Sequence, residues 1–229
     1  MSAASTPAVL VMAKAPRPGS VKTRLHPLLG PRGCAALQAE LIRHTLDTVT
    51  ATGLRTYLAY THGRGDGEAS TPDVRVAAHP GVRTLVQRGQ DLGQRLTAAV
   101  TDAFTDGGGP LLVIGTDAPT LTRMHLAAAL TALENHDVVL GPALDGGYYL
   151  IGTRRPHTEL FALDAMWWST DKVMAATLTL AAEAGLRAEL LAPLRDLDTS
   201  EDAAALLADP GLPPGITAVL ASPRSWEDV

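Results

Sequence analysis

The sequence has one cysteine, no long apolar run and no charged leader, and each absence excludes a class of protein. The single cysteine, Cys34, rules out an intramolecular disulfide and suits a reducing compartment. No apolar stretch approaches the roughly 20 residues that a membrane-spanning helix needs. The first residues carry no positive charge before a short apolar run, so we expect no signal peptide. These features predict a cytoplasmic protein with no membrane partner.

Acidic residues are missing from the first part of the chain. The first one is Glu40, and the basic residues that precede it are Lys14, Arg17, Lys22, Arg24 and Arg32. The whole chain nevertheless carries a net charge of −5, which argues against nucleic acid as a partner. The chain has three lysines against sixteen arginines, and two of those lysines fall in one short loop. Because a lysine ammonium is a compact point charge, this placement favours phosphate binding.

Apolar strands alternate with helices along the chain, which predicts an α/β fold. With 229 residues, of which 46% are hydrophobic, we expect a single domain over 1–229, with 209–229 as a peripheral C-terminal tail. Strands are predicted at 8–12, 55–60, 74–78, 111–115, 137–140, 148–152 and 187–191, with a polar loop at 61–72. Helices are predicted at 31–52, 91–104, 122–134 and 201–207, and from about 169. Such a pattern is typical of a mostly parallel sheet that binds its ligand at the carboxyl ends of the strands.

The first candidate site is the basic loop MAKAPRPGSVKTRL, which follows the first strand. It has four cations and no acid, and its glycine and serine offer backbone N–H groups, so it could hold a di- or triphosphate. The predicted phosphate-binding residues are Lys14, Arg17, Gly19, Ser20, Lys22 and Arg24. The spacing matches neither the GxxxxGK[ST] loop nor the dinucleotide GxGxxG motif.

Two carboxylate motifs follow later strands. In VIGTDAPTLT, Asp117 could hold a divalent cation, although it could equally order its own turn. In RDLDTSED, Asp196 and Asp198 precede a helix, and Asp198 could supply a second ligand to Mg²⁺. The alternative for this second motif is an ordinary helix start, since acidic residues are favoured near a helix N-terminus.

A fourth segment, GPALDGGYYLIG, suggests a substrate-binding wall. Gly146 and Gly147 follow Asp145 and would let the backbone approach a ligand, or would simply form a hairpin turn. Tyr148 and Tyr149 alternate along the next strand, so one should face the core and the other the cleft. In WWST (167–170), the two tryptophans favour packing over base stacking. One of them, Trp168, could wall the acceptor pocket.

Together these segments resemble the rSAM/selenodomain-associated transferase family, a group of GT-A-fold proteins similar to the guanylyltransferase of coenzyme F420 biosynthesis. The matching segments are MAKAPRPGSVKTRL, QDLGQRL, GTDAPTLT, VVLGPALDGGYYLIG, WST and DLDTSED, in order over roughly 9–207. The resemblance implies a GT-A three-layer α/β/α sandwich. It also implies that the basic loop holds a triphosphate while Asp117 and Asp198 hold the metal. KAPRPG stands where the related sugar nucleotidyltransferases have a GxGxRM opening.

Two reactions are compatible with these expectations. In the first, a nucleotidyltransferase uses Mg²⁺ or Mn²⁺ to join an NTP to a phosphorylated small-molecule acceptor, with Lys22, Arg24 and Asp117 as catalytic residues and pyrophosphate as the leaving group. In the second, a glycosyltransferase uses an NDP-sugar, with Asp145 as the base. A catalytically idle relative that only binds the nucleotide is a third alternative. We expect Asp117 and Asp198 to face each other across the cleft, with Lys22 opposite.

Overall fold

The computed structural model describes residues 6–61 and 79–222, and at its centre lies a seven-stranded sheet. The strands are β1 (Thr6–Lys14), β2 (Arg55–Thr61), β3 (Val82–Val86), β4 (Gly108–Ile114), β5 (Val138–Pro142), β6 (Tyr148–Thr153) and β7 (Ala188–Leu190), in the spatial order β3-β2-β1-β4-β6-β5-β7. Within this sheet β6 runs antiparallel to β4 and β5, whereas the other neighbouring pairs are parallel. The predicted α/β fold with a mostly parallel sheet is confirmed.

Helices cover both faces of the sheet and make the molecule three layers thick. They are α1 (His26–Thr50), α2 (Leu92–Thr105), α3 (Arg123–Ala132), α4 (Val173–Glu183), α5 (Ser200–Leu207) and α6 (Pro214–Leu220), with short 3-10 turns at Thr23–Leu25 and Thr158–Phe161. Helices α1 and α3 pack on one face, while α2 and α4 pack on the other. Among the helices that the structure describes, none is long and apolar enough to cross a lipid bilayer.

Strand β1 shows why the sheet is apolar on both of its faces. Its Val9 and Val11 belong to the core under α1 and α3, whereas Ala8 and Leu10 belong to the core under α2. Because successive side chains of a strand point to opposite faces, a central strand buried on both sides is apolar at every position. This explains the uninterrupted AVLVM run and fixes Lys14 at the open, carboxyl end of the strand.

A third apolar cluster lies away from the sheet, between α1, α5 and α6. Leu37 of α1, Leu206 of α5 and Ile216 of α6 are all almost completely buried in it. Residues 214–220, within the segment predicted as a peripheral tail, therefore form a helix that packs against α1. The same cluster includes Leu197, which is fully buried and lies between two of the acidic residues of the site.

Some boundaries differ from the predicted ones. Helix α1 begins at His26 rather than at Pro31, because a first helical turn precedes a kink at Gly30, whose φ is 65° and ψ 171°. Strand β3 was not predicted: it is an edge strand with exposed side chains, so it has no apolar signature. The predicted strand 74–78 and the loop 61–72 lie outside the described residues, apart from Thr61, which ends β2.

Candidate active site

A cleft of about 510 Å³ opens at the carboxyl ends of β1 and β4. Lys14, Lys22 and Arg24 line it from the first loop, and Asp117 lines it from the turn after β4. In an open, mostly parallel sheet this edge is where ligands bind, because the loops that leave the strands can diverge there. The cleft thus brings together the basic loop and the carboxylate motifs that the sequence singles out.

The first loop divides into a part that lines the cleft and a part that does not. Arg17, Gly19 and Ser20, which were predicted to bind phosphate, are not among the residues that line the cleft in the described structure. Ser20 instead closes a turn, donating from both its N–H (3.2 Å) and its Oγ (3.0 Å) to the carbonyl oxygen of Arg17. Gly19 has a φ of 82°, a left-handed conformation that glycine adopts readily.

Lys22 lies between the two predicted metal ligands rather than opposite them. Its Nζ is 2.7 Å from Oδ1 of Asp117 and 2.9 Å from Oδ1 of Asp198, and it donates to the carbonyl oxygen of Leu197 at 2.8 Å. Its side chain is only 4% exposed, against 43% and 37% for the two carboxylates. The expectation that Asp117 and Asp198 face each other agrees with the approach of both carboxylates to one ammonium. The placement of Lys22 opposite them was wrong, since three acceptors draw its ammonium between them.

The charges around Lys22 act on it in opposite directions. Burial lowers the pKa of the Lys22 ammonium, but the adjacent carboxylates of Asp117 and Asp198 raise it, and the net result is a raised pKa. Lys22 therefore stays protonated at neutral pH. Its backbone is also fixed in an unusual conformation, with φ 49° and ψ 42°, and its carbonyl oxygen accepts hydrogen bonds from the Leu25 N–H and the Cys34 thiol.

Asp196 is a cleft residue to which sequence reasoning assigned no role. Burial, followed by the charges of Asp117, Asp145 and Asp198, raises the pKa of its carboxyl group to about 8, with Lys22 opposing the shift. Its Oδ1 is buried without a hydrogen-bond partner. A signal was available in the sequence, because Asp196 and Asp198 stand two residues apart on either side of the apolar Leu197, and side chains at that spacing share one side of an extended chain.

Thr116 and Gln38 connect Asp117 to the core of the molecule. Gln38 is 4% exposed on α1, and its Nε2 donates to Oγ1 of Thr116 at 3.2 Å. The Thr116 hydroxyl in turn donates to Oδ1 of Asp117 at 3.4 Å. No local pattern could have found Gln38, because its role depends on the packing of α1 against the turn after β4.

The DGG turn places Asp145 and Gly147 at the cleft, with Gly146 behind them. Oδ1 of Asp145 accepts a hydrogen bond from the Gly147 N–H at 2.9 Å. Gly146 has a φ of 92°, and a Cβ there would come within 2.6 Å of the backbone of Asp171, so a side chain would displace the segment before α4. Gly146 therefore contributes close backbone packing, and Asp145 and Gly147 contribute the surface that faces the cleft.

The two tyrosines pack on opposite faces of the sheet, and both contribute to the cleft wall. The Tyr149 hydroxyl donates to the carbonyl oxygen of Ala192 at 3.1 Å, and burial raises the pKa of this tyrosine to about 12. Burial also raises the pKa of Tyr148. The simple division into one core and one cleft tyrosine is therefore wrong, because β6 is covered on both faces at its cleft end.

Trp168 forms the wall of the cleft next to α2, whereas Trp167 does not line it. The Trp168 ring lies against Gly93 of the QDLGQRL segment, where a Cβ would be 3.0 Å from the indole Nε1 and 2.5 Å from the carbonyl oxygen of Phe161. The absence of a side chain at Gly93 thus leaves room for the indole ring of Trp168. Arg95 of the same segment also lines the cleft, and its guanidinium is held by the carbonyl oxygens of Gly89 and Gln90.

The mostly parallel seven-stranded sheet with helices on both faces matches the GT-A-like fold of nucleotide-diphospho-sugar transferases. In particular, the chain belongs to the DUF2064 family, described as an uncharacterized protein family conserved in bacteria, whose model matches residues 45–170. No curated protein matches the chain.

Solved structures support the same fold. A protein of Desulfovibrio desulfuricans G20, provisionally named a nucleotide-diphospho-sugar transferase, is 29% identical with a TM-score of 0.82, and the match covers 94% of each chain. Rv0371c of Mycobacterium tuberculosis H37Rv is 21% identical with a TM-score of 0.55, over 90% of this chain and 100% of that one. A CMP:2-keto-3-deoxy-manno-octonic acid synthetase in complex with CTP is 15% identical with a TM-score of 0.54, over 89% of this chain and 99% of that one.

Proposed function

We propose that this protein is a metal-dependent nucleotidyltransferase that joins an NTP to a phosphorylated small molecule or sugar and releases pyrophosphate. One observation carries the proposal: Asp117 and Asp198 converge on a single cation position, 2.7 and 2.9 Å from Lys22 Nζ. Lys14 and Arg24 line the same cleft. A site with paired carboxylates for a cation and separate cations for phosphate suits phosphoryl chemistry, in which the protein chiefly positions and neutralises charge.

The residues present fit a divalent cation. Two carboxylate oxygens and the Leu197 carbonyl oxygen surround one point, and these are the oxygen ligands that Mg²⁺ and Mn²⁺ prefer. Within residues 6–61 and 79–222, no group of three or more His, Cys, Asp or Glu side chains is arranged to hold a metal. Mg²⁺ is usually held by one or two carboxylates together with substrate phosphates and water, and the pair of Asp117 and Asp198 could supply such carboxylates. Such an ion, when bound, would neutralise phosphate oxygens.

The side chains of the first loop would bind and orient the nucleotide. Lys14 and Arg24 would pair with the β and γ phosphates, and Arg17 together with the backbone N–H of Gly19 would extend this contact where the nucleotide reaches beyond the cleft, whereas both donors of Ser20 are taken up by the Arg17 carbonyl oxygen. A phosphate oxygen of the acceptor attacks the α-phosphorus, the bond between the α-phosphorus and the bridging oxygen breaks, and pyrophosphate leaves with the electron pair. Trp168, Gly147 and Tyr148 would form the acceptor side of the cleft.

Structural relatives support this assignment. One relative has CTP in its structure, and Rv0371c has a structure in complex with manganese. The sequence motifs resemble the rSAM/selenodomain-associated transferase family, a group of proteins similar to the coenzyme F420 guanylyltransferase, which is a nucleotidyltransferase. These likenesses favour nucleotide binding with a divalent ion in this chain as well.

Asp145 favours a second candidate function, glycosyl transfer from an NDP-sugar. Its carboxylate is exposed at the cleft and close enough to Asp196 to raise the pKa of that residue, so it could act as the base toward an acceptor hydroxyl. The Desulfovibrio relative, with its name of nucleotide-diphospho-sugar transferase, supports this candidate.

Turnover with a panel of NTPs and NDP-sugars tests the proposal. Each donor is incubated with Mg²⁺ or Mn²⁺ and a set of phosphorylated and hydroxylated acceptors, and the products are scored for pyrophosphate and for free NDP. We expect pyrophosphate from an NTP, with a phosphorylated acceptor required. Free NDP from an NDP-sugar would favour glycosyl transfer, and nucleotide binding without either product would indicate a catalytically idle relative.

A further inference from the structure

The ammonium of Lys22 occupies the point on which two acidic side chains of the cleft, Asp117 and Asp198, converge. An ammonium has three donors and no acceptor, and here the three acceptors are Oδ1 of Asp117, Oδ1 of Asp198 and the carbonyl oxygen of Leu197, all within 2.9 Å. The geometry therefore satisfies Lys22 completely. It also means that the oxygens best placed to hold a metal already hold a cation.

A metal ion bound to Oδ1 of Asp117 and Oδ1 of Asp198 would compete with the Lys22 ammonium for these oxygens. Mg²⁺ binds its oxygen ligands at about 2.0–2.1 Å, and Mn²⁺ has a similar preference for oxygen. An ion at that distance from both Asp117 Oδ1 and Asp198 Oδ1 would lie within about 5 Å of Nζ, where the two positive charges would repel each other. A metal ion on these two oxygens would therefore favour movement of the ammonium to another partner.

The two carboxylates that hold Lys22 carry more negative charge than its single ammonium balances. Besides Asp117 and Asp198, the cleft is lined by Asp145 and Asp196, and Asp196 keeps a buried carboxylate oxygen without a partner. Asp117 and Asp198 carry two negative charges between them, so a divalent ion would balance this pair more fully than the ammonium does. The charge of this carboxylate pair thus favours the exchange.

A bound nucleotide would give the displaced ammonium of Lys22 a new binding partner. Its side chain is a flexible four-carbon stem, and it leaves the same loop that carries Lys14 and Arg24 to the cleft. An ammonium displaced from two carboxylates without a new partner would be costly. Phosphate oxygens of a nucleotide in the cleft would provide that partner.

We propose that Lys22 is an internal cation that holds the metal position in the free protein and is displaced by the divalent ion, so that the ion binds well only when a nucleotide phosphate receives the ammonium. This inference rests on the proposed function, because it takes the ligand to be a nucleotide. It predicts that metal and nucleotide bind cooperatively, through a side chain that changes partner. It also gives Lys22 two successive roles, first with the carboxylates and then with phosphate.

Binding of Mn²⁺ to the full chain without nucleotide, measured by calorimetry, tests the exchange directly. We expect weak binding to the wild type and binding that is about tenfold tighter or more in Lys22→Met, a change within the range of linked binding events. Lys14→Met is the matched control, because it removes another lysine of the cleft and has no contact with Asp117 or Asp198 in the described structure. Its affinity for Mn²⁺ should stay within about twofold of the wild type. Equal affinity of wild type and Lys22→Met would overturn the proposal.

A measurement on the wild type avoids reliance on a variant that could fail to fold. The chain has three lysines, so amine labelling followed by mass spectrometry can report Lys22 separately, with the exposed Lys172 as an internal reference. We expect Lys22 to be protected in the free protein and to react about tenfold faster at saturating Mn²⁺, with Lys172 unchanged. Continued protection of Lys22 at saturating Mn²⁺ would contradict the exchange. Neither measurement depends on turnover, so an absence of pyrophosphate release would count against the proposed function and leave this inference standing.

Discussion

The backbone N–H of Leu197 donates a 2.7 Å hydrogen bond to the carbonyl oxygen of Asp117, and this bond joins the segment before α5 to the turn after β4. The carbonyl oxygen of Leu197 accepts from Lys22 at 2.8 Å, which adds the first loop to the same junction. Since the junction is made partly by backbone groups, changes to the carboxylate side chains should alter the chemistry of the site before they alter the fold.

Asp117→Asn should abolish metal-dependent turnover while the protein remains folded. The amide keeps the shape of the side chain and an oxygen for Lys22, but it loses the charge that a divalent ion requires. We expect turnover to fall by at least about 100-fold, which corresponds to losing several kcal/mol of charge stabilisation. Circular dichroism and cooperative unfolding should be retained. Asp209→Asn, at an exposed position that does not line the cleft, is the control and should keep its activity.

Arg24→Ala should weaken the binding of a nucleoside triphosphate more than that of the monophosphate. Arg24 is exposed and lines the cleft, so it can reach the β and γ phosphates, which the monophosphate lacks. The expected loss is about tenfold for the triphosphate, the scale of one hydrogen bond to a charged group. Arg32→Ala, on an exposed position of α1 outside the cleft wall, should have little effect. Equal losses for both nucleotides in Arg24→Ala would indicate a structural role.

Much of the fold, but only part of the site, could be predicted from the sequence. Strands β1 and β4 are apolar at nearly every position, and Asp117 follows β4 directly, so both the sheet and the carboxylate at its edge could be predicted. The position of Lys22 could not, because spacing along a loop does not determine where a long side chain points. Helix α6 was missed because it is short and begins in a segment rich in proline and glycine.

Gly93→Ala should destabilise the protein and move Trp168. The new Cβ would lie 2.5 Å from the carbonyl oxygen of Phe161 and 3.0 Å from the indole Nε1. The Phe161 carbonyl belongs to the backbone, which moves less easily than a side chain. Overpacking of this kind typically costs about 1–3 kcal/mol. Denaturant unfolding should report the loss, and tryptophan fluorescence should report the displaced ring. Unchanged stability and unchanged fluorescence would contradict the close packing of Trp168 against Gly93.

His125 should make the stability of the protein depend on pH. Its Nδ1 accepts a hydrogen bond from the Thr122 N–H at 3.0 Å at the start of α3, and burial lowers the pKa of His125 from its usual 6.5. A lowered pKa means that the unfolded chain binds the proton more readily. The contribution of His125 is therefore present above about pH 6.5 and is lost as the pH falls through its folded pKa.

His125→Gln tests this contribution, because glutamine at the same position of a helix start can accept the Thr122 N–H without titrating. We expect the free energy of unfolding of the variant to change less than that of the wild type as the pH is lowered from about 7.5 to about 5. His44, whose pKa is also lowered by burial, should leave part of the acid sensitivity in place. Identical pH dependence of the two proteins would contradict the assignment to His125.

The position of the metal in a ternary complex tests the central claim most directly. Crystals of the protein with Mn²⁺ and a non-hydrolysable NTP analogue allow the ion to be located by anomalous scattering. We predict one Mn²⁺ bound to the carboxylates of both Asp117 and Asp198 and to a phosphate oxygen, with Lys22 Nζ moved to the phosphates. An ion more than about 6 Å from Asp198, with no direct contact and no water bridge, would contradict a nucleotidyltransferase site built on these two carboxylates.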